Sequence, residues 1–193
     1  MQALVRTLLK FGELNTGCQQ ALEKAAVPFA CSAQTHLLAP GMVQDQVYFI
    51  DEGIVMGHYL TKDRQFVSWF AAEGEFATAV ESFHYRKPSR EYLTACTRVK
   101  GVFVKKEDYD RLVKEFPTLA LLVHKVTLHY LLESQLRLHS LTMLDSYERY
   151  RLFVAERADL IKVLPDKLVA AYLNMDPSTY SKMRKKFRDQ GGS

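Results

Sequence analysis

The sequence predicts an α+β chain, and three observations carry the prediction. From about Phe29 to Val104 short β-branched and aromatic runs alternate with turn signals. Thr118 to Leu144 holds a helical period without a break. Asp166 to Phe187 reads as two short helices joined by a tight turn.

Taken in order, residues 1 to about 27 read as an amphipathic helical region, with Leu4, Leu8, Phe11, Leu14 and Leu22 as its apolar positions. The strand region follows. Its runs include T-H-L-L-A, V-Y-F-I at Val47 to Ile50, I-V-M-G-H-Y-L, F-V-S-W-F and V-K-G-V-F-V. Turn signals fall at Pro40-Gly41, Asp51 to Gly53 and Lys62 to Arg64. Short strands at this spacing predict a β-sandwich or barrel.

The long helix carries one apolar stripe through Leu122, Val126, His129, Glu133, Leu136, Ser140 and Met143. A neighbouring stripe holds Val123, Tyr130, Leu141 and Leu144. A helix apolar on more than one face packs on its own domain and on a second copy, so Leu122, Val126, His129, Leu136 and Met143 are the candidate dimer residues. A single buried core helix is the alternative.

In the last segment Leu168, Val169, Tyr172 and Leu173 supply a buried face, and Ala170 and Ala171 permit close helix approach. Asn174 stands where the chain turns, and Asn tolerates positive φ. Asp176 then caps a helix whose first position is Pro177. Tyr180, Met183 and Phe187 face inward, leaving Pro177, Ser178, Ser181, Lys182 and Lys185 outward. This is the layout of a helix-turn-helix, whose second helix lies in the major groove of double-stranded DNA. Lys182, Arg184, Lys185, Lys186 and Arg188 occur with no acidic residue between Ser181 and Arg188, a patch that attracts phosphate. Read alone, such a run is also what a solvated helix C-terminus favours.

The whole-chain balance sets bounds. In 193 residues, 48% apolar and 25% charged, the net charge is only +4, so the chain is no basic nucleic-acid coat. Cys18, Cys31 and Cys96 are dispersed and form no C-x-x-C pair, which speaks for a reducing compartment and against an iron–sulfur site. No stretch reaches the roughly 18 apolar residues a membrane span needs, and no signal-peptide layout opens the chain; a cytoplasmic protein without membrane contact is expected. His124, His129 and His139 on the long helix do not share a face as i, i+4 metal ligands would, so no metal is expected. No nucleophile–base arrangement or phosphate-cradling loop is present, and the pair Glu73/Glu75 reads as a solvated loop; an enzyme is not expected.

The order of these parts resembles the Crp/Fnr family of bacterial transcription regulators, in the compact form of Bacteroidetes-type bacteria. The resemblance covers nearly the whole chain and rests on Y-F-I-D-E-G-I-V (Tyr48 to Val55), W-F-A-A-E-G-E-F (Trp69 to Phe76), S-Y-E-R-Y (Ser146 to Tyr150) and the D-P-S-T-Y-S-K run of the second helix. It implies a cyclic-nucleotide-binding-like, jelly-roll-like β-roll over residues 1–117, a dimerisation helix over 118–144 and a winged-helix-like DNA-binding domain over 145–193. It also implies a homodimer on a DNA operator, with RNA polymerase as a further partner.

Family members that bind cyclic AMP pair Gly-Glu with a later Arg-Ser or Arg-Thr. Here Gly74-Glu75 matches the first element, but the second is Pro88-Ser89. Proline has no charge and no donor for a cyclic phosphate, so the expectation is no cofactor and no cyclic-nucleotide response. Glu75, Ser89 and Arg90 remain the effector-pocket candidates, with Arg86 and Lys87 flanking. The family's base-reading positions fall on Pro177, Ser178 and Lys182, while Lys185 and Arg188 suit phosphate. The competing reading is a sensing or protein-interaction β-roll whose helix-turn-helix only packs.

Overall fold

The computed structural model of the chain describes residues 2–62 and 64–191. Asp63 of the Lys62 to Arg64 turn signal, and the outermost residues of the first and last expected regions, lie outside the described residues. Where a single helical region is expected at the start there are two helices, α1 (Gln2–Leu9) and α2 (Thr16–Ala25). The break has a local cause: Asn15 caps α2, its side-chain oxygen accepting from the Cys18 N–H at 2.8 Å.

Eight strands follow: β1 (Ala26–Cys31), β2 (His36–Leu38), β3 (Gln46–Glu52), β4 (Val55–Leu60), β5 (Gln65–Ala71), β6 (Phe76–Ala77), β7 (Tyr92–Ala95) and β8 (Val99–Lys105). A short helix, α3 (Val80–Tyr85), interrupts them. They form two four-stranded sheets, ordered β1-β8-β3-β6 and β2-β7-β4-β5. Pairing is antiparallel, with Tyr48 opposite Phe103 between β3 and β8 and Gly57 opposite Leu93 between β4 and β7. Alternation decides what each face buries. Tyr48, Ile50, Val55, Leu93, Ala95 and Val99 point into the space between the sheets. Phe49, Val102 and Val104 point the other way, into a core shared with Leu4, Leu8, Leu22, Leu112, Leu119 and Leu122 of the helices. The Asp51 to Gly53 turn signal closes with Gly53 at φ +94°, a left-handed conformation that glycine adopts without strain.

The helices resume with α4 (Lys106–Glu115), the long α5 (Pro117–Met143), α6 (Ser146–Val163), α7 (Asp166–Tyr172) and α8 (Pro177–Asp189). Between α5 and α6, Asp145 forms a capping box: it accepts from the Tyr147 and Glu148 N–H groups, and the Glu148 carboxylate accepts from the Asp145 N–H at 2.9 Å. Contacts divide the chain into two compact units. One comprises residues 1–60 with 68–129, the other 61–67 with 130–193. Among the described residues no strand follows β8, and no helix is long and apolar enough to cross a membrane.

Candidate nucleic-acid interface

The turn between α7 and α8 is built by backbone chemistry. Met175 donates its N–H to the Ala170 carbonyl at 2.9 Å and Asn174 donates to Ala171 at 3.4 Å, the pair of bonds that ends a helix in a left-handed residue. That residue is Asn174, at φ +54°. Asp176 then caps α8: its carboxylate accepts from the Thr179 N–H at 2.9 Å, the Ser178 hydroxyl at 2.6 Å and the Thr179 hydroxyl at 2.7 Å. These donors, the Ser178 hydroxyl foremost, hold the Asp176 carboxyl well below the usual carboxylate range.

Inward residues fix the helices to each other. Tyr180, only 1% exposed, packs edge-on against Tyr150, as does Phe187, each with ring centres 5.6 Å apart. Phe153 meets Tyr172 at 5.2 Å. The Tyr180 hydroxyl is buried with no hydrogen-bond partner among the described residues.

The opposite face of α8 presents Pro177, Ser178, Ser181, Lys182, Lys185 and Arg188, all exposed and spaced by three or four residues. The five cations of the basic run divide into two groups. Arg184 is paired with Asp166 at 2.6 Å and Lys186 stands 4.0 Å from the Tyr147 ring centre, so both brace the domain. Lys182, Lys185 and Arg188 make no hydrogen bond or ion pair among the described residues.

Two arginines that sequence reasoning missed grip the end of α7. Arg149 donates from Nε to the Leu173 carbonyl at 3.2 Å and from Nη1 to the Leu144 carbonyl at 2.7 Å. Arg137 donates from Nη2 to the carbonyls of Tyr172 and Val67, both at 2.7 Å. Its guanidinium carbon lies 3.6 Å from the centre of the Tyr172 ring and 5.8 Å from that of Phe66. Burial lowers the Arg137 pKa.

On α5 the five expected dimer residues separate. Leu122 is buried in the first unit, Val126 packs on the same core, and His129 meets Phe11 edge-on at 5.7 Å. Leu136 and Met143 are exposed, in line with exposed Leu121, Leu128 and Leu132.

The expected effector residues are engaged within the chain. Glu75 accepts from the Ala72 N–H at 2.7 Å. Ser89 is buried, its hydroxyl donating to the Glu91 carbonyl at 2.8 Å. Arg90 lies exposed and pairs with Glu81 at 2.6 Å, and Arg86 is turned to the Gln44 carbonyl and Asp45. A further contact of this region joins Trp69, Gly57 and Glu91. Trp69 lies so close to Gly57 that a Cβ there would clash with the indole. The indole N–H donates to the Glu91 carboxylate, which burial pushes up to about 7.

In the sheet of β2, β7, β4 and β5, the Thr94 hydroxyl bridges His36 Nδ1 at 2.8 Å and His58 Nε2 at 2.9 Å. His58 stacks on Tyr92, and burial lowers its pKa to about 4. Among the described residues no group of three or more His, Cys, Asp or Glu is placed to hold a metal. Cys18, Cys31 and Cys96 are free thiols whose pKa values burial raises.

The architecture is two four-stranded sheets, a long helix and a helix-turn-helix. Solved structures of similar fold include regulators of the Crp/Fnr type. FixK2 from Bradyrhizobium japonicum is 17% identical over 86% of each chain, with a TM-score of 0.76. CLP, the c-di-GMP responsive global regulator of Xanthomonas campestris, is 15% identical over 92% of this chain and 93% of its own, with a TM-score of 0.70. A CooA mutant from Carboxydothermus hydrogenoformans is 19% identical over 97% of this chain and 85% of its own, with a TM-score of 0.69. At these identities the likeness establishes the fold. No family model and no curated protein matches the chain.

Proposed function

We propose that the chain is a dimeric, sequence-specific DNA-binding transcription regulator of the Crp/Fnr type, acting in the bacterial cytoplasm without a cyclic-AMP response. The observation that carries this reading is the outer face of α8, where Lys182, Lys185 and Arg188 stand without an ion-pair partner while Tyr180 and Phe187 anchor the inner face. Ser178 and Lys182 read base edges, Lys185 and Arg188 neutralise phosphates, and Pro177 and Ser181 border the groove. Residues 1–117 form the sensing domain, 118–144 the dimer helix and 145–193 the reader. The exposed row Leu121, Leu128, Leu132, Leu136 and Met143 supports a two-helix seam, which moves it away from Leu122, Val126 and His129. RNA polymerase is the partner that activation from such a site implies.

The test is a genome-wide selection of DNA fragments by the purified protein at moderate salt, with no added ligand. Enrichment of a two-fold-symmetric site is expected; no enriched site, with and without a cyclic nucleotide, goes against DNA reading. Lys185→Ala is expected to weaken binding to all sequences and to lower the salt slope by about one per protomer, whereas Lys182→Ala relaxes base preference. Equal loss from both, in salt titrations on matched and scrambled duplexes, would refute these roles. Leu132→Lys with Leu136→Lys is expected to yield a monomer by sedimentation and to abolish preference for the symmetric site. A variant that remains dimeric excludes this seam.

A further inference from the structure

We infer that Arg137 is a positioning residue for DNA reading, through which the start of β5 at Phe66 and Val67 sets the placement of the helix-turn-helix. The inference rests on the reading of α8 as the DNA-contacting helix.

All the groups involved belong to the second unit. The last carbonyls of a helix have no partner within it and carry the negative end of its dipole. In α7 the consecutive carbonyls of Tyr172 and Leu173 are each taken by a guanidinium, from Arg137 and Arg149 respectively. They immediately precede left-handed Asn174, from which α8 departs. Whatever fixes these two carbonyls therefore fixes the direction of the reading helix.

The two arginines differ in their other anchor. Arg149 holds Leu144 and Ser146, its own neighbours, and so ties α7 to the break between α5 and α6. Arg137 holds the Val67 carbonyl, 70 residues away in sequence, while its plane covers the Tyr172 ring and approaches Phe66. No carboxylate among the described residues pairs with it. Its geometry is set by two carbonyls and two rings, so a shift at Phe66 or Val67 is passed to Tyr172. Lysine cannot replace it, because one ammonium cannot stack flat on Tyr172 and hold both carbonyls.

The test uses the full chain and two readouts. The first is amide hydrogen exchange of residues 168–176, which needs no DNA. Arg137→Met, which keeps the aliphatic stem, and Phe66→Leu are each expected to raise it by about two- to thirtyfold, the range that coupling positions carry. In the Arg137→Met background, Phe66→Leu adds nothing. The second readout is preference for the most enriched selected duplex over a scrambled duplex of equal length. It falls in both variants by a similar factor, while binding to the scrambled duplex and the thermal midpoint of the first unit stay unchanged. Arg137→Lys behaves as Arg137→Met.

Unchanged exchange in Arg137→Met, additive effects of the two substitutions, full rescue by lysine, or raised exchange with unaltered DNA preference would each overturn the inference. A wild type without preference for any duplex overturns the DNA reading instead, and the exchange result still decides whether Arg137 couples the two segments.

Discussion

Tyr180→Ala is expected to cost about 3–5 kcal/mol, the range for deleting a large buried aromatic side chain. The ring is 1% exposed and holds α8 against Tyr150, so its loss opens a cavity between α6 and α8. The inner face of α8 has no comparable second anchor: Met183 and Phe187 are only half-buried. Losing that much free energy leaves little of the stability of a small helical domain. Tyr180→Phe has the opposite sign. The hydroxyl is buried without a hydrogen-bond partner among the described residues, and burial pushes its pKa up to about 12. Removing it relieves an unsatisfied group and stabilises by about 1 kcal/mol. Urea unfolding of both variants, followed by exchange of peptides from residues 146–189, checks the pair. A phenylalanine variant as weak as the alanine variant would mean that the hydroxyl is bonded in solution.

The second large effect lies in the first unit and concerns a half-buried and a buried group with opposed pH dependence. Glu91 titrates near 7 in the folded chain, against an ordinary value of 4.5, because burial disfavours its charged form. Between these values the native state binds the extra proton, so the Glu91 contribution to stability falls as pH rises from 4.5 to 7. His58 titrates near 4 against 6.5, chiefly through burial and secondarily through the nearby His36. There the unfolded chain binds the extra proton, so the His58 contribution rises with pH from 4 to 6.5. The two slopes oppose each other over most of their range, and wild-type stability is expected to vary little there. Glu91→Gln exposes the His58 slope. Relative to wild type it gains roughly 3 kcal/mol between about pH 5 and about pH 8, at about 1.4 kcal/mol per pKa unit. His58→Phe, which keeps the stack on Tyr92, exposes the falling Glu91 slope. Urea midpoints at the two pH values decide, and a Glu91→Gln profile parallel to wild type would disprove the account.

What the sequence disclosed and what it hid follow from the range of the interactions. The outward and inward faces of α8 were legible because Asp176, Pro177 and Asn174 fix phase and boundary within a few residues. Two opposed sheets were legible as a class from the spacing of short strands, but their order was not, since it depends on which strands lie side by side. The Trp69–Gly57–Glu91 contact was hidden for that reason: it needs β5 and β7 to flank β4. The stripe on α5 was periodic but ambiguous. Leu122 and Val126 lie on the same stripe as Leu136 and Met143, and the placement of α1 and α2 makes the first two core. Arg137 was invisible because its carbonyl partners are 35 and 70 residues away, and backbone acceptors leave no trace in composition.

The three cysteines also give the protein a built-in clock. Cys18, Cys31 and Cys96 all belong to the first unit, and the second contains none. Alkylating reagents attack the thiolate, and burial holds each of these groups in the thiol form. Fully buried Cys18 therefore reacts only when the helical layer around it opens. The rate at which a thiol reagent consumes Cys18 reports on one half of the molecule alone. Any substitution in α7 or α8 can thus be checked, without a further label, for whether its effect has spread beyond them.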